Sequence, residues 1–492
     1  MKSPMKMRMK ISHTVAGAAR GAVLLGLMLG GVAQMDAAVF MGDGIKIGDV
    51  TQTSAILWTR LTEHPELKRD GFAFPTEFKR KNEPTEVMQL QGHALKEMEG
   101  AMPGAAGEVR FLYWSDGEQS AQAKSTAWIP VAAAKDFTAQ APLSGLRAAT
   151  RYRLRAEGRS KAGGAAECVV EGSFVTPPTA DTVKPLTFTT VTCQDYWKRD
   201  DPVNGHRVYE LMRKLNPDFF VHTGDMEYYD RAKPFATTVE LARFKWNRIY
   251  ALPFERAFHN TGVASYFIKD DHDTLKDDCW PGEHYGKLTW ADGLALVREQ
   301  VPVGDNPSRH IRWGKDLEIW LPEGREYRSA NITPDGPEKT IWGRAQKQWF
   351  FDTVRASDAT FRIVFSPTPV VGPDREKKND NLANAGFATE GREMREFMAT
   401  QKNLIVICGD RHWQYVSIDP ATGLREYGSG PTSDAHAQGF SEADRMPMQR
   451  YLKIVGGFLA VTIERVDGKA RAVFRHYGTK GEINHEDIVV AK

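Results

Sequence analysis

His222-Thr-Gly-Asp-Met-Glu-Tyr228 follows directly on Asn216-Pro-Asp-Phe-Phe-Val221, a polar turn and then a short apolar run. Together they read as a buried strand whose carboxyl end stops at Gly224-Asp225. In open α/β sheets ligands collect at the carboxyl ends of strands, so Asp225 is delivered to the place where chemistry is expected. Gly224 lets the backbone turn sharply and come close to a ligand. Tyr228, three residues on, reaches the same point.

Three further runs share this grammar. Leu186-Thr-Phe-Thr-Thr-Val-Thr192 alternates as a strand does and ends at Cys193-Gln-Asp195. Val263-Ala-Ser-Tyr-Phe-Ile268 ends at Lys269-Asp-Asp-His-Asp273, with Asp277, Asp278 and Cys279 close behind. Like charges crowded after an apolar strand want a cation. Asn403-Leu-Ile-Val-Ile-Cys408 ends at Gly409-Asp-Arg-His412. Helical stretches, such as His206 to Leu215, lie between the runs, which predicts sheets faced by helices from Asp181 onward. Singly, each motif has a plain alternative: a buried small cysteine, or a solvated acidic loop. Four strand ends carrying metal-type donors predict a metal site.

From Val39 to Pro178 the chain is β-rich with turn punctuation. Ser54-Ala-Ile-Leu-Trp-Thr-Arg60 and Val109-Arg-Phe-Leu-Tyr-Trp114 are strand-like. Leu146 to Tyr152, before an alternating run, is similar to the tyrosine corner of fibronectin-type sandwiches, and Pro177-Pro178 ends strand pairing. A polar insertion between Glu63 and Gly107 has a short helix around Glu86 to Met98. These features predict a packing or substrate-shaping β-sandwich over 39–178, without a catalytic constellation, followed by a catalytic domain over 179–492.

At 492 residues the chain has room for two domains. A net charge of +2, with no basic stripe, excludes specific nucleic-acid binding. Lys2, Lys6, Arg8 and Lys10 precede the apolar run Gly21 to Ala33, and small residues follow at Ala33, Ala37 and Ala38. This predicts a signal peptide over 1–38 and export to the periplasm or beyond. No later segment is apolar for long enough to cross a membrane. The four cysteines, an even count in an exported chain, invite disulfides, although their contexts suggest no framework. Cys408 reads as buried and reduced.

Cys193-Gln-Asp195, Gly224-Asp-x-x-Tyr228, Asp270-Asp-His-Asp273 and Gly409-Asp-Arg-His412, in this order, resemble the alkaline phosphatase D (PhoD-like) family of the calcineurin-like metallophosphatases. Trp342-Gly-x-x-Gln346-x-x-Trp349, Phe365-Ser-Pro-Thr-Pro369 and the sandwich ending Phe174-Val-Thr-Pro-Pro178 extend the likeness over nearly the whole mature chain. The resemblance implies an α/β fold: a fibronectin/Ig-like sandwich followed by a calcineurin-like domain of β-sheets packed with flanking helices. It also implies roles. Cys193 and His412 would bind a first metal with Tyr228 as phenolate, and Asp225 would bridge. Asp271 and Asp410 would hold the second metal. Asp195 would be a further ligand or stand just behind one, and Asp270 and Asp273 would stand behind the ligands. His272 would occupy the catalytic histidine position. No histidine marks the middle ligand strand near Ser366-Pro-Thr-Pro369, so the second metal has an oxygen-rich set.

That donor set agrees with the implied chemistry. Thiolate, phenolate and imidazole suit Fe(III), and carboxylates suit Ca²⁺, with Mn²⁺ or Zn²⁺ as alternatives. Two such metals, roughly 3.5–4 Å apart, activate a bridging water against phosphorus. His272 would protonate the leaving alkoxide or hold a phosphate oxygen. Arg411 is read as a second phosphate clamp, its fork matching phosphate oxygens, with a surface salt bridge as the equal alternative. Arg325 and Arg328 face either the pocket or a sheet edge. Gly372 to Asp380 reads as a solvated charged turn. The expected function is a secreted alkaline phosphatase acting on small or polymeric phosphate esters, monoesters or diesters. The alternatives are a phospholipase-like diesterase of the same superfamily, or a non-catalytic calcium-braced surface-binding protein.

Overall fold

Period-two alternation in the site-bearing runs sorts their side chains between two cores. In the computed structural model, which describes residues 38–375 and 377–492, Phe188, Phe219, Val221 and Tyr266 point into one core while Val191, Phe220 and Phe267 point into another. Successive strand residues face opposite sides of a sheet, so each of these strands is buried on both faces. Ile405 and Ile407 likewise face the first core, and Leu404 and Val406 a third.

Two large sheets share the first core face to face. The nine-stranded sheet runs Ile483–Val490, Lys469–Tyr477, Phe458–Val466, Leu186–Val191, Phe219–His222, Ala264–Phe267, Ile45–Gly48, Ser54–Arg60, Thr138–Ser144. The seven-stranded sheet runs Arg309–Trp313, Leu317–Leu321, Phe361–Ser366, Leu404–Cys408, Arg425–Ser429, Gln414–Ile418, Gln449–Lys453. Aromatic pairs join them: Phe219 stacks on Trp313 at 4.7 Å and Phe188 meets Phe365 edge-on at 5.8 Å. Such pairs add about 0.5–1.5 kcal/mol each beyond buried area. The helices Arg207–Leu215, Val239–Tyr250, Pro253–Asn260 and Trp290–Gln300 cover the outer face of the first sheet. Arg344–Ala356 and Ala388–Ala399 cover the outer face of the second. Each sheet therefore has helices on one face only, its other face being taken by the partner sheet.

The strands of residues 39–178 divide between two sheets. Ile45–Gly48, Ser54–Arg60 and Thr138–Ser144 extend the nine-stranded sheet, with Ile45–Gly48 pairing parallel to Ala264–Phe267. The rest form a five-stranded sheet around Gly107–Ser115, Arg151–Arg159 and Cys168–Val175. Tyr152 sits as a tyrosine corner requires, its hydroxyl accepting the Arg147 N–H at 2.8 Å. The position 178/179 falls between Cys168–Val175 and Leu186–Val191, inside the one compact unit that the described residues form. The insertion's helix is shorter than expected: it covers Glu86–Leu90 and stops where Gln91 turns left-handed at φ 49°.

The signal peptide expected over 1–38 lies outside the described residues apart from Ala38. No helix among the described residues is long and apolar enough to cross a membrane. All four cysteines are free thiols, with Cys193, Cys279 and Cys408 buried.

Candidate metal centre

Parallel pairing brings the strand ends to one level. Val191, His222 and Phe267 stand in register across three neighbouring strands, and Ser366, Cys408 and Gly428 across three strands of the facing sheet. The loops after them meet. Cys193 N–H donates to Gly224 O at 3.2 Å, and Asp410 N–H donates to Thr192 Oγ1 at 3.1 Å, linking the two sheets. Cys193, Asp225 and Asp410 all adopt left-handed φ, at 56°, 56° and 61°. This region costs a non-glycine residue roughly 1–3 kcal/mol and is found where function holds it in place. Here it turns each donor back over its own strand end.

Asp225 is at the centre. Its Oδ2 accepts from the Tyr228 hydroxyl at 3.0 Å and from the Cys193 thiol at 3.3 Å. The same hydroxyl lies 3.4 Å from His412 Nε2. Donor atoms of Cys193, Asp225 and His412 fall within 4.8 Å of one another, and so do those of Asp225, Asp271 and His272, and those of Asp225, Asp270 and Asp410. Asp225 belongs to all three groups. Asp225 Oδ1, Asp270 Oδ2 and Asp271 Oδ1 are buried with no hydrogen-bond partner. Burying such oxygens unpaired costs several kcal/mol each. Donors of these types, aimed at one another and left unpaired, fit a pair of cations.

Burial pushes the Cys193 thiol and the Tyr228 phenol well up, and the neighbouring Asp225 charge adds to both. Burial raises Asp225 to about 6. A bound cation reverses this logic, since coordination deprotonates thiols. Burial, then His436 and Arg411, holds His412 well below its ordinary value, so it is the neutral imidazole a ligand must be.

His272 lies 4.3 Å from the Tyr228 ring, tilted by 37° to it, and donates from Nδ1 to Asp230 Oδ1 at 2.7 Å. That leaves Nε2 as its working nitrogen. Burial opposes its charge, but Asp230, Asp271 and Asp225 outweigh it and raise His272 to about 10. Asp273 commits both oxygens to backbone, bracing Asp270 N–H at 2.7 Å and Met226 N–H at 3.1 Å. Asp195 is in none of the donor groups among the described residues; it accepts the Trp197 N–H at 2.9 Å.

Asp270 stands in a donor group as fully as Asp271 does, and its Oδ1 takes Arg325 Nε at 2.6 Å. Arg325 is fully buried here, so the sheet-edge alternative does not hold. Gln346 positions it by a two-way clamp on Glu323: Nε2 donates to the carbonyl at 2.7 Å and Oε1 accepts the N–H at 2.8 Å. Arg411 is also buried, between Asp374 and Asp410. Its charge is answered by two carboxylates, which corrects the surface-salt-bridge alternative. The solvated-turn reading of 372–380 does not hold for its aspartates either. Asp374 and Asp380 are buried, and Lys378 Nζ donates to Asp278 Oδ1 at 2.5 Å, because the loop closes over the site's charges.

Sequence reasoning missed His436. Its Nδ1 lies 3.1 Å from Cys193 O, its ring 4.2 Å from that of His412, and its Nε2 is unpartnered. Asp230 was missed as well. Neither follows a strand, and the only local signal is a histidine in the turn Ser433-Asp-Ala-His436.

Residues 297–441 match the model of the PhoD-like phosphatase family. That stretch contains Arg325, Gln346, Asp410, His412 and His436. No curated protein matches the chain. Among solved structures, one described as the structure of PhoD is similar over 93% of this chain and 90% of its own, with a TM-score of 0.66 and 16% identity. The purple acid phosphatase PPD1 from yellow lupin seeds is similar over 92% and 74%, with a TM-score of 0.61 and 10% identity. At these identities the likeness is one of fold: a mixed α/β arrangement of several sheets.

Proposed function

We propose that the chain is a metal-dependent phosphatase hydrolysing phosphate esters, of the secreted alkaline phosphatase type, a reading supported by the match of residues 297–441 to the PhoD-like phosphatase model on a fold like that of PhoD. The observation that carries this reading is Asp225, shared by three donor groups of different chemistry at converging strand ends. The side with Cys193, Tyr228 and His412 suits ferric iron. The side with Asp271, Asp410 and Asp270 suits calcium, with manganese or zinc as alternatives. When bound, such cations supply Lewis-acid activation of water and neutralise charge at phosphate.

The chain's own residues do the rest. Asp225 ties the two sides together. Asp273 fixes the spacing between the Asp225 and Asp270 loops through its two backbone bonds. His272, held by Asp230 at Nδ1, presents Nε2 as the nitrogen that gives a proton to the departing alkoxide. Arg411, buried between Asp374 and Asp410, holds Asp410 in place, and a phosphate clamp from it would need a guanidinium N–H left free by these two carboxylates. In this reading residues 39–178 buttress a catalytic part spanning 179–492, with three of their strands extending its nine-stranded sheet. The basic and apolar start of the chain directs export.

His272→Ala tests the assignment against a non-catalytic calcium-braced protein. We expect metal content by elemental analysis to stay at the wild-type level and turnover of ethyl phosphate and diethyl phosphate, whose leaving alkoxides need a proton, to fall by roughly 10²-fold or more. Unchanged behaviour of that variant, or a wild type inactive on both esters, would favour the binding protein.

A further inference from the structure

The insertion between Glu63 and Gly107 is fastened to the loop that carries Asp230. Gln89 clamps Phe235 from both sides, Nε2 donating to its carbonyl at 2.9 Å and Oε1 accepting its N–H at 2.7 Å. Thr237 Oγ1 donates to Pro84 O at 2.9 Å, and Glu83 accepts the Gly286 N–H at 3.2 Å. Beside these fastenings, on the single turn Arg80–Asn82, stands Arg80. Its Nη1 donates to Asp230 Oδ2 at 2.9 Å and lies 3.2 Å from Asp277 Oδ2. Asp230 uses its other oxygen on His272 Nδ1, at 2.7 Å. Asp277 Oδ1 lies 3.7 Å from His272 Nε2. Asp277 N–H also donates to Asp230 Oδ2 at 3.0 Å, which closes the ring of contacts. One guanidinium nitrogen therefore links the two carboxylates that flank the two ring nitrogens of His272.

We propose that Arg80 is a positioning residue of the hydrolytic site, setting the orientation of His272 through Asp230 and Asp277. This rests on the phosphatase reading above and adds a residue from the part of the chain outside the strand-end motifs. Exposed ion pairs contribute little, but Asp230 is buried, and Arg80 Nη1 holds its Oδ2 together with the Asp277 N–H, so that the carboxylate keeps one orientation. A turned carboxylate would swing the imidazole with it. Misplacement of about 1 Å in a reacting group can cost 10²-fold in rate.

The test uses the metal-replete full chain and two monoesters. Nitrophenolate leaves p-nitrophenyl phosphate without a proton, whereas an alkyl phosphate such as ethyl phosphate needs one. With Arg80→Ala we expect kcat on ethyl phosphate to fall by about tenfold or more and kcat on p-nitrophenyl phosphate to change by less than about twofold, at unchanged metal content. Arg80→Lys, which keeps a charge beside Asp230, should recover part of the loss and covers the case in which the alanine variant folds poorly. In a His272→Ala background Arg80→Ala should add nothing. Equal losses on both esters, additive losses in the double variant, or no loss at all would overturn the proposal while leaving the phosphatase reading standing. A wild type that hydrolyses neither ester would remove that reading, and this proposal with it.

Discussion

Asp225 holds a left-handed φ of 56° and a fully buried carboxylate, one oxygen of which has no partner. Burial raises it from 3.8 to about 6, with Asp271 adding to the rise. Between those two values the native chain keeps a proton that the unfolded chain has released. Stability is therefore lost as pH rises through that window, and the deficit stays in full above it. A rise of this size corresponds to about 3 kcal/mol. Asp225→Asn removes the charge and keeps the shape. After chelation we expect the variant to melt at a higher temperature than wild type at pH 8, with the gap closing below about pH 4. With metal restored, the variant should bind less and lose on the order of a thousandfold in turnover, since several kcal/mol of transition-state stabilisation go with the cations. A chelated variant no more stable than wild type at pH 8 would count against the unpaired-carboxylate account. Asp225, Cys193, Asp271 and Asp410 are legible in the sequence because each closely follows the apolar run that ends beside it. His436 and Asp230 are not, because each reaches the site from a loop whose own sequence has no period to read.

Between Phe361–Ser366 and the helix Ala388–Ala399, the chain has to carry Asp374 to Arg411. Glu426, on the neighbouring strand Arg425–Ser429, fixes the start of that path. Its Oε2 accepts the N–H groups of Val370 at 2.7 Å and Val371 at 2.9 Å. Its Oε1 accepts Gly372 N–H at 2.8 Å and the Tyr415 hydroxyl at 2.7 Å. A carboxylate is the right group here, because it presents only acceptors to four donors. Charge in the 372–380 segment reads as solvation from sequence alone, and the reading fails because the partners that bury it, Arg411, Asp278 and Glu426, lie on other elements. Glu426→Gln turns an amide NH₂ toward N–H groups on one side. Leaving a buried donor unsatisfied costs about 1–3 kcal/mol, so urea melts should shift to lower midpoints by that amount. If the loop carries the effect on to the site, Asp374, Arg411 and Asp410 loosen in turn, and metal retention under a competing chelator should drop as well. A stability loss with metal retention unchanged would separate the loop from the site.

At the scale of the whole molecule, the first third and the rest are joined through the sheet that carries three of the site's strand ends. Ile47 and Gly48 pair with Ala264 and Ser265, on the strand that leads to Asp270 and Asp271. Lys46 reaches across to Gln300 O at 3.1 Å and lies over the rings of Trp58 and Tyr250, at 3.3 and 3.7 Å. Asp136 takes Asn247 and Gln300 at 2.9 Å each while also pairing with Arg60 at 3.1 Å. The alternation that marks these segments as strands is visible in the sequence; which sheet each one joins is not, because partner choice depends on contacts more than a hundred residues apart. A chain starting at residue 179 would open the edge of Ala264–Phe267 to solvent, and an open hydrophobic edge invites association with other chains. It would also leave Asn247 and Gln300 without their buried carboxylate. We expect calorimetry of the full chain to show one cooperative transition, and the 179–492 fragment to aggregate without a cooperative melt. Two separable transitions in the full chain, or a monomeric fragment that still binds metal, would mean that the Ala264–Phe267 strand holds its loop unaided and that the shared sheet adds no stability to the site.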